Sequence, residues 1–265
     1  MVFNVVIPAR YASTRLPAKP LLELGGRAMI QWVIEAALRS GAREVLVATD
    51  DARIAAAAVD PRSPGRSLAV MTRGDHPSGT DRIAEVAALR GWDEHTIVVN
   101  VQGDEPLLPP ALIDQVAALL ERDTRADIAT LSTPIERLDE LLDPNLVKVV
   151  TADDGAALYF SRAPIPWHRE GAAPQTGGVA VPARFAGAQR HLGIYAYRVA
   201  ALRRVTGLPP GELEKAEQLE QLRALQAGMR LVVGVACTPP PAGIDTRADL
   251  ERARARIDAD QIDAK

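Results

Sequence analysis

A single cysteine, Cys237, stands in a chain of 265 residues, which excludes an intramolecular disulfide and a thiolate metal cluster. Lying in an apolar, strand-like run, it reads as a buried structural thiol. No apolar stretch approaches the roughly 18 residues of a membrane span, so membrane insertion is not expected. A basic leader with a cleavage site is missing from the N-terminus, and the expectation is a cytoplasmic protein. Basic charge is not in excess either. The formal net charge is −3, with 31 Lys and Arg against 34 Asp and Glu, which argues against a nucleic-acid partner. Neither a Walker A loop nor a G-x-G-x-x-G turn occurs, so ATPase and dinucleotide-binding readings lose their fingerprints. Internal repeats are absent, and the only low-complexity tract is the proline run at 239–241.

What is present is alternation. Val2–Pro8, Glu44–Thr49, Leu68–Thr72 and Thr96–Val101 read as strands. Between them, Ile30, Val33, Ile34, Ala37 and Leu38 mark one face of a helix closed by Gly41. Ile83, Val86 and Ala87 mark a second helix, and Ile113, Val116, Ala117 and Leu120 a third. Strands alternating with helices of this length predict an α/β fold, a mainly parallel central sheet flanked by helices. Near residue 144 the pattern changes. Leu146–Thr151 and Ala156–Phe160 flank Asp153-Asp154-Gly155, a hairpin turn. A Pro-, Gly- and Ala-rich loop over about 163–188 follows, and then a strand over His191–Arg198. Residues 1–265 are thus read as one domain, with a nested β-rich subdomain over about 144–200. A long helix over Gly211–Ala227, a strand over Leu231–Cys237 and a last helix from Thr246 complete the chain.

Five groups carry candidate chemistry. The loop after the first strand holds Arg10, Arg15 and Lys19. Fixed cations between a buried strand and a helix suit phosphate, Arg as a planar fork and Lys as a mobile point charge. The bland alternative is a solvated basic loop. At Val98–Pro106 an apolar strand ends on Gln102, Gly103, Asp104 and Glu105. A carboxylate there suits Mg²⁺, which prefers one or two carboxylates plus substrate phosphates. The alternative, an acid in the first turn of the next helix, suits Glu105 better than Asp104. Asp245 either caps the last helix or, with Thr246 as the cap, is free for a second metal contact. In Arg73–Asp81, Ser78 and Arg73 can donate to a base edge, Thr80 can cap the next helix, and His76 reads as a loop residue. Glu217, Glu220 and Gln221 share one helix face, either solvated or forming a polar wall for a hydroxyl-rich ligand. His191 and Tyr195 share a side of one strand, and Arg162 can meet a carboxylate.

Taken together, VVIPARYASTRLPAKPL, HPSGTDRIAEV, VVNVQGDEP, ALYFSRAPIPW, RHLGIYAYR, LEQLR and GIDT resemble the CMP-Kdo synthetases in order and spacing. These are 3-deoxy-manno-octulosonate cytidylyltransferases, within the nucleotide-sugar cytidylyltransferases. The likeness runs from residue 2 to 256. It departs at Ala18, where many members have Gly, and in the loop over 163–190. The resemblance implies the reaction CTP + Kdo to CMP-Kdo and diphosphate, supplying lipopolysaccharide assembly. It implies that Arg10 and Lys19 hold the triphosphate with help from Arg15, while Arg73, Ser78 and the backbone of Pro8 and Ala9 read cytosine. Gln102 would touch the sugar, and Asp104 with Asp245 would bind Mg²⁺. Arg162, His191, Tyr195, Glu220 and Gln221 would line the Kdo pocket. A homodimer joined through the β-rich part is also implied. The alternatives are a cytidylyltransferase for another acidic sugar, such as an amino-Kdo or a sialic acid, and a sugar-nucleotide sensor without turnover.

Overall fold

The computed structural model describes residues 1–11, 16–167, 187–241 and 243–263, with side chains through 257. The chain opens with β1 (Phe3–Pro8), a 3₁₀ turn (Lys19–Leu21), a small hairpin of β2 (Glu23–Leu24) and β3 (Arg27–Ala28), and α1 (Met29–Leu38). There follow β4 (Glu44–Thr49), α2 (Ala52–Ala57), β5 (Ala69–Met71), α3 (Gly79–Leu89), β6 (Ile97–Asn100), α4 (Pro110–Arg122) and β7 (Ile128–Pro134). Next are α5 (Leu138–Leu142), β8 (Lys148–Thr151), β9 (Ala157–Ser161), β10 (Gln189–Arg198) and α6 (Val199–Thr206). The last part contains α7 (Glu212–Glu217), α8 (Gln221–Gln226), β11 (Leu231–Val235) and α9 (Arg247–Asp263).

The main sheet runs β11-β7-β10-β6-β1-β4-β5. Along this path the pairs are parallel except those made by β10, which is antiparallel to β6 and β7, while β8 joins off the path, antiparallel to β10 and β9. Every β1 residue but Pro8 is buried, as expected of a strand covered on both faces. The period of two divides them. Phe3, Val5 and Ile7 pack with Ile30, Val33 and Ile34 of α1 and Leu112, Ile113 and Val116 of α4. Val6 faces the opposite layer, with Ile83 and Val86 of α3, Leu202 of α6 and Leu222 of α8. The predicted α/β layering is therefore observed, with strand ends within two residues of expectation in the first half.

Four expectations are corrected. The long helix over Gly211–Ala227 is two short ones, because Gln218 turns left-handed with φ 54°. Tertiary bonds hold that break. The Glu217 carboxylate accepts from Ser161 Oγ at 2.6 Å and from Arg162 N at 2.9 Å, and its carbonyl accepts from Arg162 Nε at 2.7 Å. Cys237 is exposed, since β11 stops at Val235 and the Cys237 N–H turns to the Gln115 side chain. Thr80 lies inside the first turn of α3, and Ser78 is the cap. The hairpin β8–β9 forms as read, but β10, placed in the nested subdomain, runs through the centre of the main sheet.

Lys148 anchors that hairpin. It is fully buried, and its ammonium donates to the carbonyls of Asp143 (2.8 Å), Leu146 (2.7 Å) and Arg162 (2.6 Å). Burial lowers its pKa from the usual lysine value. Lys148→Met would strand three carbonyls in the interior. Urea denaturation is expected to show a loss of about 2–4 kcal/mol with an unchanged m-value.

Candidate active site

The site lies at the carboxyl ends of β1 and β6, where open α/β sheets bind ligands. Beyond β6, Gly103 lets the chain pass close to β1. A side chain there would meet the Pro8 carbonyl at 3.1 Å and Ala9 Cβ at 3.7 Å. Gly79 likewise packs on the Pro8 ring, where an added Cβ would lie 3.2 Å from Cγ. These approaches gather Pro8, Ala9, the Ser78 turn and the 102–104 segment on one edge.

Asp104 and Asp245 converge there as expected. Ile244 is buried among Leu24, Met29, Leu250 and Ile257, and its N–H donates to the Asp104 carbonyl at 3.1 Å. Thr246 caps α9 through its hydroxyl, which accepts from Asp249 N, while the Asp249 carboxylate accepts from Thr246 N at 2.7 Å. The Asp245 carboxylate is therefore not spent as the cap. Lys19 completes the group. Its ammonium is 2.7 Å from Asp104 Oδ2 and 3.2 Å from Asp245 Oδ1, and the residue is only 8% exposed. Preceding it, Ala18 adopts a left-handed backbone, φ 57° and ψ 25°, a conformation that glycine takes more readily. Arg10, two residues past β1, is exposed, and Arg15 lies outside the described residues.

Glu105 does not start a helix, since α4 begins only at Pro110. It points between Gly193 and Gly243, where a Cβ would come within 3.7 Å and 3.6 Å of its side chain. An edge of the residue stays open to solvent. Burial, then the Asp104 charge, nevertheless raises its carboxyl to about 7, against the pull of Arg190 and Lys19.

Beside Gln102 a cavity of about 190 Å³ opens, lined by Gln102, Tyr195, Glu220 and Gln221 together with Thr80, Asn100 and Tyr197. The first four were anticipated. Tyr197 was missed, although it follows Tyr195 by two and so shares its face. Their rings stack at 5.8 Å. Burial raises both phenols well above their ordinary range, with the Glu220 carboxylate adding to the effect, so both remain hydrogen-bond donors. Asn100 was missed too. It is buried at the end of β6 and accepts from Gln102 Nε2 at 3.2 Å.

Other predicted residues stand elsewhere. His191 is behind the cavity wall, its ring between those of Phe160 and Tyr195 at 5.0 and 5.3 Å. Its Nε2 lies 3.0 Å from Thr130 Oγ1, which itself donates to the Ile194 carbonyl. A two-residue bulge in β10 between Leu192 and Tyr195 leaves the two rings on one side. Arg162 meets carbonyls rather than a carboxylate, those of Glu217 and of Pro144 at 3.0 Å, because α7 docks against it. Arg73 is 68% exposed and bidentate to Asp75 at 2.9 and 2.8 Å. It borders a second cavity of about 360 Å³ with His76, Asp81, Glu85 and Arg203. Ser78 Oγ donates to Asp81 Oδ2 at 2.7 Å as part of the cap. The base-reading pair is thus engaged with neighbours. Glu217 is likewise separated from Glu220 and Gln221 by the Gln218 break.

A cation paired with two carboxylates at the carboxyl edge of a mostly parallel sheet, next to a cavity rich in neutral hydrogen-bonding groups, defines a nucleotidyltransferase-type α/β enzyme. Residues 4–231 match the family described as Cytidylyltransferase, and the chain belongs to that family. It is 55% identical to a 3-deoxy-manno-octulosonate cytidylyltransferase of Xanthomonas euvesicatoria pv. vesicatoria, over 96% of both chains. To the enzyme of the same name from Nitrosococcus oceani it is 53% identical, again over 96% of both. A solved structure of CMP:2-keto-3-deoxy-manno-octonic acid synthetase complexed with CTP superposes with a TM-score of 0.84 at 40% identity, covering 98% of this chain and 100% of that one.

Burial holds the His191 imidazole neutral, with its pKa down to about 3 from 6.5. A depressed folded-state pKa gives stability that is present above 6.5 and is lost as pH falls below it. Between pH 7 and 5, wild type is therefore expected to lose about 1–2 kcal/mol more than His191→Gln, by urea denaturation at each pH.

Proposed function

We propose that this chain transfers the cytidylyl group of CTP to 3-deoxy-manno-octulosonate (Kdo), releasing diphosphate. The observation that carries this reading is the meeting of Asp104 and Asp245 on Lys19 beside the Gln102–Tyr195–Glu220 cavity. The donor set fits Mg²⁺: two hard carboxylate oxygens from segments far apart in the chain. Among the described residues no cluster of three or more His, Cys, Asp or Glu could hold a metal, so substrate phosphates and water would complete the shell. Bound there, Mg²⁺ would neutralise phosphate charge and polarise the attacking hydroxyl.

The chain's own groups divide the remaining work. Lys19 and the exposed Arg10 offset charge that grows on the leaving diphosphate. Gln102, Gln221 and the two protonated tyrosines orient the sugar's hydroxyls in the cavity. Attack by the anomeric hydroxyl on the α-phosphorus needs in-line placement and no side-chain nucleophile. Arg73 and Ser78 would have to exchange Asp75 and Asp81 for the cytosine edge when nucleotide binds. We infer a cytoplasmic enzyme supplying activated sugar to lipopolysaccharide assembly. It would act as a homodimer, with the β8–β9 hairpin, whose Leu158 is 62% exposed, at the interface.

With CTP, Kdo and Mg²⁺, diphosphate release is expected, and folded protein that stays silent would refute the assignment. Lys19→Ala and Asp104→Ala are each expected to lower kcat/KM by about 10²- to 10³-fold, measured in the same assay. A change below about threefold would remove that residue from the machinery.

A further inference from the structure

The Lys19 ammonium lies where a divalent ion held by Asp104 and Asp245 would have to lie. Its distances of 2.7 and 3.2 Å to the two carboxylates make it their shared counter-ion, with Lys19 itself buried and the two carboxylates partly open to solvent. An Mg²⁺ ion bonded to both acids needs oxygens at about 2.0–2.1 Å, inside the same gap. Two cations cannot share that gap without strong repulsion.

We propose that Lys19 is the resident cation of the nucleotide-free enzyme and that metal and ammonium exchange places when the nucleotide arrives. The inference rests on the use of a triphosphate with a divalent ion and adds an order to it. Metal alone would have to evict the ammonium with nothing to receive it. Metal carried by CTP brings phosphate oxygens that do receive it. The flexible four-carbon stem of lysine permits the move, whereas its 3₁₀ turn keeps its root in place. Linkage then makes the coupling reciprocal, so nucleotide and metal each tighten the other.

Two measurements on the full chain test this. The first is Mn²⁺ binding to nucleotide-free protein, followed by electron paramagnetic resonance of the free ion. Lys19→Met is expected to bind Mn²⁺ roughly tenfold more tightly than wild type, within the usual span of such couplings, and Lys19→Arg is expected to resemble wild type. Equal binding by wild type and Lys19→Met would overturn the proposal.

The second measurement needs no variant to fold. The sequence holds only four lysines, so reductive ¹³C-methylation, which keeps the charge, yields few resonances. One of them is expected to move when CTP and Mg²⁺ are added together and to stay in place with Mg²⁺ alone. Displacement by Mg²⁺ alone, or none under either condition, would overturn the exchange. Diphosphate release is scored separately, so an enzyme that turns over yet binds Mn²⁺ freely defeats this inference and leaves the proposed reaction standing.

Discussion

Two carboxylates held within reach of one ammonium are the constraint around which the rest of the site is built. Asp104 and Asp245 repel each other, and each is far from Lys19 in the chain, by 85 and 226 residues. Three features hold them together. Gly103 lets the strand end pass close to β1, buried Ile244 ties the 243–245 segment to the Asp104 carbonyl, and the ammonium neutralises the pair. Removing the cation would leave two like charges facing each other, with solvent screening only part of their repulsion because both side chains are partly exposed. At Glu105 burial, and after it the Asp104 charge, raises the carboxyl towards neutrality.

The neighbouring cavity follows different electrostatics. The residues that line it bring amides, hydroxyls and one carboxylate, Glu220, and no cation. Tyrosines kept protonated offer donors of fixed direction, and the His191 ring behind them stays neutral. Such a surface is suited to hydroxyls, whereas the Lys19 side gathers the charged groups. The two halves meet at the short segment from Gln102 to Asp104. A shift of that segment would therefore move the cavity wall and the charged cluster together.

The layering was readable because hydrophobic period survives in a single sequence. Phe3, Val5 and Ile7 alternate with Val6, and α1 and α4 repeat their apolar residues at helical spacing. The two acids were readable as candidates, Asp104 from the strand end after Gly103 and Asp245 as one of two possible caps, and the structure assigns the cap to Thr246. Other features depended on partners distant in sequence. The helix over Gly211–Ala227 has adequate local propensity, but Glu217 is bonded to Ser161 and Arg162, and those bonds favour the break at Gln218. Cys237 looked buried because its run is apolar, yet the sheet ends two residues earlier. Arg162 and Arg73 were assigned by the chemistry of the guanidinium, and local carbonyls and Asp75 engage them instead.

Residue order alone thus determined the element alternation and the sheet class, because these depend on periodicity and on strand and helix ends, and it offered the acids and the lysine as candidates. Tertiary structure decided which cation serves which acid, that Asn100 and Tyr197 join the cavity, and that β10 runs antiparallel through the sheet's centre. Contacts between segments hundreds of residues apart depend on how packed layers bring loop ends together, and no local pattern encodes that distance.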